Sequence, residues 1–384
     1  TVDSLLTLFI ITSLYFAIEF TKTGKKRYLI LTGAMIGFAL GSKVSAAPIV
    51  FPPITAAYVL FLNNKAKGIN LTLKETLMPL AYCFSCAFLV LVAIQPYMVL
   101  DWVKYKTDIL EQAEVVWRIR DYPYTRQYIG TTPYIYQALQ LMKWGLGVSL
   151  SLFVIVGLLG QFIGRMKIKL NIGYIFAGIL LPAFLCVNIS YPYGQALGLG
   201  AAFLSLIVFF HFRKSYDGSL LVVLVWLVPY LIVTGALEAK FLRYFLPAIP
   251  VLIIISCVWA NDVFNRSTFN KKKLKIGVGL LFGVIFFTTL AQALAFVSIY
   301  SDKHTAVRAA EWINQNVEPG SILIKEHWEE SIPEMYEYEM KELALYEDDT
   351  KKKIEEVSKV LYSGQYLILF SNRLYGTIPR LPER

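Results

Sequence analysis

Few side chains in this sequence pair reactive chemistry with a setting that would use it. Asp3 opens the first apolar run, ahead of Ser4-Leu5-Leu6-Thr7-Leu8-Phe9. A carboxylate where bilayer meets water sees a lowered dielectric, which raises its basicity toward that of a general base. The same residue also suits the plainer task of capping a helix. Lys43 stands alone between two apolar runs, where it can meet a phosphate or snorkel to the interface. Residues 121–136 set five tyrosines, Tyr128 among them, around Arg126, with no acid after Asp121. A guanidinium grips phosphate with two hydrogen bonds and tyrosine rings stack on sugar faces, although tyrosines at this depth also form an aromatic belt. Lys240, Arg243 and Tyr244 make a third group in the stretch 237–244; an anionic ligand would explain its two cations, and so would snorkelling to headgroups.

Other chemistry has weaker support. Cys83 and Cys86 have redox-motif spacing but lie inside an apolar run without a neighbouring acid or His, so they read as packing. His211, His304 and His327 fall in separate segments and make no metal-ligand set by spacing. Glu326, Glu329, Glu330 and Glu334 read as a solvated face. No phosphate-cradling glycine loop or dinucleotide fingerprint is present.

The elements that must position these groups are membrane helices. The 384 residues are 56% hydrophobic and 17% charged, against roughly 45–50% and about 25% in soluble domains. With 15% aromatic residues and four Cys, neither a disordered chain nor a disulfide-stapled module fits. A span needs roughly 20 apolar residues. Ten segments qualify or nearly so: 4–20, 28–42, 44–62, 76–97, 143–163, 171–190, 195–211, 219–236, 245–260 and 276–299. The 28–42 and 44–62 runs, parted only by Lys43, could instead form a broken or re-entrant pair.

The net charge is +10, and its placement matters more than its size. The loops 21–27, 63–75, 164–170, 212–218 and 261–275 are every second loop, and all are basic, which predicts that they face the cytoplasm. Asp3, Lys43, the 98–142 loop, the 237–244 loop and everything after residue 300 then lie on the outer side. Nothing in the pattern suggests nucleic acid. The 98–142 loop predicts a surface helix over Asp101 to Arg120. The tail predicts a small α/β unit: helices over Lys303–Asn316 and Thr350–Tyr362, strands over Ser321–Lys325, Lys341–Tyr346 and Gln365–Phe370. The span interiors carry almost no ionisable residues, where a transporter would need them. The chain enters its first apolar run without an initiator Met and stops just after a strand-like segment, so it reads as an internal piece of a longer protein.

The motifs Thr1 to Phe9, Gly33 to Lys43, Tyr124-Thr125-Arg126-Gln127-Tyr128 with Gly130 to Tyr134, and Lys240-Phe241-Leu242-Arg243-Tyr244 through Pro247 together resemble bacterial lipid-carrier-dependent glycosyltransferases. These are relatives of the dolichyl-phosphate-mannose-protein mannosyltransferases and the aminoarabinose transferase, within the C-type membrane glycosyltransferase (GT-C) superfamily. Ala310 to Asn314 with Pro319-Gly320, and Ser371 to Gly376, are similar to that family's extracytoplasmic domain. The resemblance implies a multi-pass plasma-membrane enzyme that moves a sugar, with inversion, from a polyprenyl-phosphate donor to a lipid, glycan or protein acceptor outside the cytoplasm. It implies that the main catalytic carboxylate precedes this chain, leaving Asp3 a supporting one. Arg126, Lys240, Arg243 and Tyr244, with Lys43 and Tyr128, would hold the carrier phosphate and sugar, and fixed cations would stabilise the leaving phosphate. Such sites can hold a divalent metal, for which no ligand set is apparent here.

The expectation is therefore an α-helical polytopic membrane protein with about ten membrane segments over 1–299, the outer loop 98–142, and a truncated extracytoplasmic α/β domain over 300–384. The alternatives are a polytopic transporter or flippase for a lipid-linked or anionic substrate, and a noncatalytic scaffold displaying the tail, which explains the outer cations poorly.

Overall fold

An apolar segment in lipid has only its own carbonyls to satisfy its N–H groups, so the long hydrophobic runs form helices. The computed structural model describes residues 2–69, 72–161, 176–211, 218–266, 271–329 and 331–370. The basic loop 164–170, the start of the 171–190 segment, nearly all of the 212–218 loop, Glu330 and the Ser371 to Gly376 motif lie outside the described residues.

The chain divides into two units: one of Thr1–Trp117 and Thr131–Thr289, the other of Arg118–Gly130 and Leu290–Arg384. The segment Arg118–Gly130, expected as part of the outer loop, thus groups with the tail.

The main helices up to Val297 are α1 (Val2–Thr23), α2 (Lys26–Ser42), α3 (Phe51–Ala66), α4 (Leu73–Ile94), α5 (Trp102–Val116), α6 (Val148–Gly160), α7 (Leu181–Asn188), α8 (Tyr193–His211), α9 (Gly218–Ala236) and α10 (Ala248–Arg266) in the first unit, and α11 (Lys271–Val297), which runs past the end of that unit at Thr289. Among the described residues six helical stretches are long and apolar enough to cross a membrane: α1, Val44–Ala66, α4, α9, α10 and one within Lys275–Asn316. Val148–Gly160, Gly178–Asn188 and Tyr193–Val208 are apolar but shorter. Six of the ten expected segments are thus full-length spans among the described residues, which leave out the start of the 171–190 segment. The 28–42 segment is the 17-residue α2, at the lower limit for crossing. The 143–163 segment is cut short at its start because Gly147 turns the chain with φ 78°, a conformation glycine adopts without steric cost.

Local sequence explains the helix boundaries. Prolines 52 and 53 open α3, where their missing N–H and fixed φ do no harm. Thr72 and Glu75 form a reciprocal capping box at the start of α4. The core is a stripe along α1 of Leu6, Ile10, Leu14, Ala17 and Phe20 at helical spacing, packed with Leu29 and Ile36 of α2 and Leu221, Trp226 and Tyr230 of α9. α2 and α4 approach very closely. A Cβ added at Gly33 would sit 2.0 Å from the Cys83 carbonyl oxygen, at Gly37 2.6 Å from that of Ala87, and at Gly41 2.5 Å from Ile94. Small residues four apart let helix backbones meet in lipid, where dispersion must replace the missing hydrophobic drive. Cys83, fully buried there, is packing, as its apolar setting suggests.

In the second unit the helix α12 (Thr305–Asn316) precedes a parallel sheet of β1 (Ile322–Glu326), β2 (Glu339–Leu343) and β3 (Tyr366–Leu367) in the order β2-β1-β3, with α13 (Lys351–Ser363) between β2 and β3. Ala310, Ile313, Val317 and Leu323 form its core with Ile332, Met335 and Tyr338. The Tyr338 hydroxyl bonds the carbonyls of Ile313 and Val317 at the end of α12.

Candidate functional site

Asp3 lies in the first turn of α1, and Lys43 lies where α2 stops. At Lys43 the backbone is extended, φ −164° and ψ 129°, between α2 and a 3-10 turn over Val44–Val50 that leads into α3. Its N–H still bonds the Ala39 carbonyl at 3.0 Å, so the helix ends cleanly and the side chain leaves it at the mouth of α1. α1 and α2 run antiparallel, zipped by ring stacks Phe16–Tyr28 and Phe9–Phe38. The next step of that zipper brings Lys43 Nζ to 2.8 Å from Asp3 Oδ1. The carboxylate is 14% and the ammonium 28% exposed. The two residues, read locally as a helix cap and a snorkelling lysine, thus form a contact across 40 residues.

The third element is the turn after α9. Lys43 Nζ lies 4.4 Å from the centroid of the Tyr244 ring, within cation–π range. A 3-10 turn over Leu242–Phe245 presents that ring. The Tyr244 carbonyl accepts the hydroxyl of Tyr230 at 2.6 Å, and Tyr230, fully buried in α9, stacks on Trp226 at 5.1 Å. Arg243 is exposed, its guanidinium carbon 4.9 Å from the Phe241 ring and 5.8 Å from that of Tyr244. Lys43 and Arg243 thus both lie against the Tyr244 ring, with Asp3 paired to Lys43.

The turn itself is tied down by the loop before α6. Ala239 N–H bonds the Val116 carbonyl, Tyr134 N–H and the Gln137 side chain both bond the Gly235 carbonyl, and the Tyr134 hydroxyl donates to Ile232 at 3.0 Å. Burial pushes the Tyr134 phenol up from its ordinary pKa, which keeps it a neutral donor.

The remaining expected residues are placed differently. The Lys240 ammonium is fully buried and directed at its own turn, 3.2 Å from the Glu238 carbonyl and 3.7 Å from its carboxylate. Arg126 and Tyr128 belong to the second unit and are both buried. Arg126 donates through Nε and Nη2 to Asp121 at 2.9 and 2.6 Å, and its Nη2 reaches the Tyr346 carbonyl at 3.5 Å. Its guanidinium sits 5.1 Å from the Tyr346 ring, and its buried Nη1 has no hydrogen-bond partner. The first contribution of Arg126 is thus to tie the segment 118–130 to the tail.

Among the described residues no group of three or more His, Cys, Asp or Glu could hold a metal ion. Around Tyr244 one carboxylate faces two cations, a donor set that favours an anion over a divalent metal. Sequence reasoning missed Tyr230, whose only signal is a lone hydroxyl in an apolar run, and Asp121 as the partner of Arg126.

Residues 1–102 match the family model of the dolichyl-phosphate-mannose-protein mannosyltransferases. Asp3 and Lys43 fall inside the match; Arg243 and Tyr244 fall outside it. No curated protein and no solved structure matches the chain. The family match suggests a membrane glycosyltransferase of the GT-C type, and the apolar helices agree with a polytopic membrane protein.

Proposed function

We propose that this chain is the membrane part of a glycosyltransferase that takes a sugar from a polyprenyl-phosphate carrier and passes it, with inversion, to a lipid, glycan or protein acceptor at the outer face. The observation that supports this most is the convergence of Lys43 and Arg243 on the Tyr244 ring, at the end of α1 where its first turn would meet the membrane surface. In such a transfer the bond from sugar to carrier phosphate breaks and the phosphate keeps the electron pair. Its negative charge rises in the transition state, and two preplaced cations at low dielectric stabilise it without reorganising at the moment of reaction. Asp3 is a positioning residue: its carboxylate holds the Lys43 ammonium against the ring and competes with the phosphate for it. Tyr230 fixes the backbone that carries Tyr244, and the apolar flanks of the helices accept the prenyl chain. The five basic loops would face the cytoplasm, and the tail unit the opposite side.

The test is Arg243→Ala in the full-length enzyme, assayed with a panel of polyprenyl-phosphate sugars. Turnover should fall by about 10²-fold, the size of losing one charge-stabilising donor, with membrane insertion unchanged. Wild-type turnover would refute the phosphate role, and carrier movement across the bilayer without sugar transfer would favour a flippase.

A further inference from the structure

The far end of α1 carries a second concentration of charge. From Asp3 to Thr21 the helix rises about 27 Å, close to a hydrocarbon core of about 30 Å. There the ends of α1 and α3 and the starts of α2, α4 and α9 surround a cavity of about 1020 Å³. Lys22 comes from the last turn of α1, Lys26 from the first residue of α2, Lys67 from just beyond α3 and Lys74 from the first turn of α4. Among the described residues Glu75 is the one carboxylate in this lining, and its Oε2 is already engaged by the backbone and hydroxyl of Thr72, both at 2.8 Å. Lys22 pairs with Glu19 and Lys26 interacts electrostatically with Glu75, whereas Lys67 and Lys74 have no ion pair among the described residues.

Positive charge that only sets orientation needs no concavity. Here four lysines from four segments line one, together with the apolar side chains of Phe20, Val59, Leu60 and Met78. Beside it on α4, Leu73 is 75% and Leu77 50% exposed. Basic pockets between membrane helices bind anionic headgroups. The space exceeds a lone phosphate, and the exposed leucines continue it toward the lipid side. An amphiphile with a phosphate head and acyl tail fits the lysines, the apolar lining and the flank together. We propose that this cavity binds the phosphate of an anionic membrane lipid, at the opposite end of α1 from the Asp3–Lys43 pair. The assignment does not depend on the transfer chemistry.

The experiment places the full chain in phosphatidylcholine nanodiscs doped with headgroup-labelled phosphatidylglycerol. Lys26→Gln with Lys74→Gln should weaken phosphatidylglycerol binding about thirtyfold, given two lysines at a membrane surface. The charge-matched pair Lys104→Gln with Lys106→Gln, on the exposed face of α5, should leave it unchanged. Equal binding by wild type and the cavity variant would overturn the proposal, as would an equal loss in both variants. In undoped nanodiscs, ³²P-labelled inorganic phosphate should not bind. Binding of it that the cavity substitutions abolish, without preference for phosphatidylglycerol, would put a soluble phosphate in the cavity and overturn the lipid.

Discussion

Removing the Lys43 ammonium strands a carboxylate that the fold has placed in a mostly buried position. At 2.8 Å and an effective dielectric near 20, the attraction between the two charges is about 6 kcal/mol. Desolvation of both ions offsets most of it. Losing one partner of a fully buried pair costs about 3–5 kcal/mol; here 14% and 28% exposure lets water screen the survivor, so about 2 kcal/mol is expected for Lys43→Met. That corresponds to roughly 2.5 °C in the thermal midpoint of a protein of this size. The variant Asp3→Asn with Lys43→Met should recover most of this loss, because no charge is then left without its partner. Asp3→Asn alone should cost less than Lys43→Met, since the ammonium keeps the Tyr244 ring at 4.4 Å. The assay is thermal unfolding of the four proteins in one detergent, read as a double-mutant cycle. A double variant no more stable than Lys43→Met, or strictly additive losses, would show that the pair carries no coupling and that Asp3 does not hold Lys43.

Three further outcomes are expected. Gly37→Leu should abolish folded protein, measured as the monodisperse fraction after detergent extraction, because even a Cβ there meets the Ala87 carbonyl at 2.6 Å and the α2 and α4 backbones would have to separate. In the second unit, hydrogen bonds from His327 and Lys325 hold the Glu342 carboxyl below its ordinary pKa. Its contribution to stability is present above the unfolded value of about 4.5 and is lost as pH falls through the lower folded value. Hydrogen exchange over 322–343, corrected for intrinsic rates, should therefore accelerate in that window, and Glu342→Gln should remove that acid dependence. For sidedness, Lys25→Cys and Thr131→Cys in a Cys257→Ser background should react with an impermeant maleimide from opposite faces; labelling of both from one side would overturn the proposed topology.

Much of the helical framework was legible in the sequence because hydrophobic runs and caps are local. α1, α4, α9 and α10 lie within a few residues of their expected positions, and the tail shows the expected order of helix, strands and helix. Span counting was less secure. Length criteria blur where short runs such as 28–42 and 143–163 are bounded by glycines or a lone lysine, and the basic loop 164–170 and nearly all of the loop 212–218 lie outside the described residues. The candidate site was legible as residue types but not as an arrangement. Arg126, Lys240 and Arg243 looked equivalent as cations among aromatics, yet the first belongs to the tail unit, the second folds back on Glu238, and the third stays exposed beside Tyr244.

By itself the sequence determined that this chain forms helices in lipid, because hydrophobic content and periodicity act over a few residues and need no partner. It also determined which side chains could meet an anion. Only the tertiary structure decided which of them meet one another. The pairing of Asp3 with Lys43 depends on two helices packing antiparallel, and the approach of Lys43 to Tyr244 depends on a turn about 200 residues further along the chain, anchored by the buried hydroxyl of Tyr230. Such contacts come from packing between distant segments, which a reading along the chain does not contain.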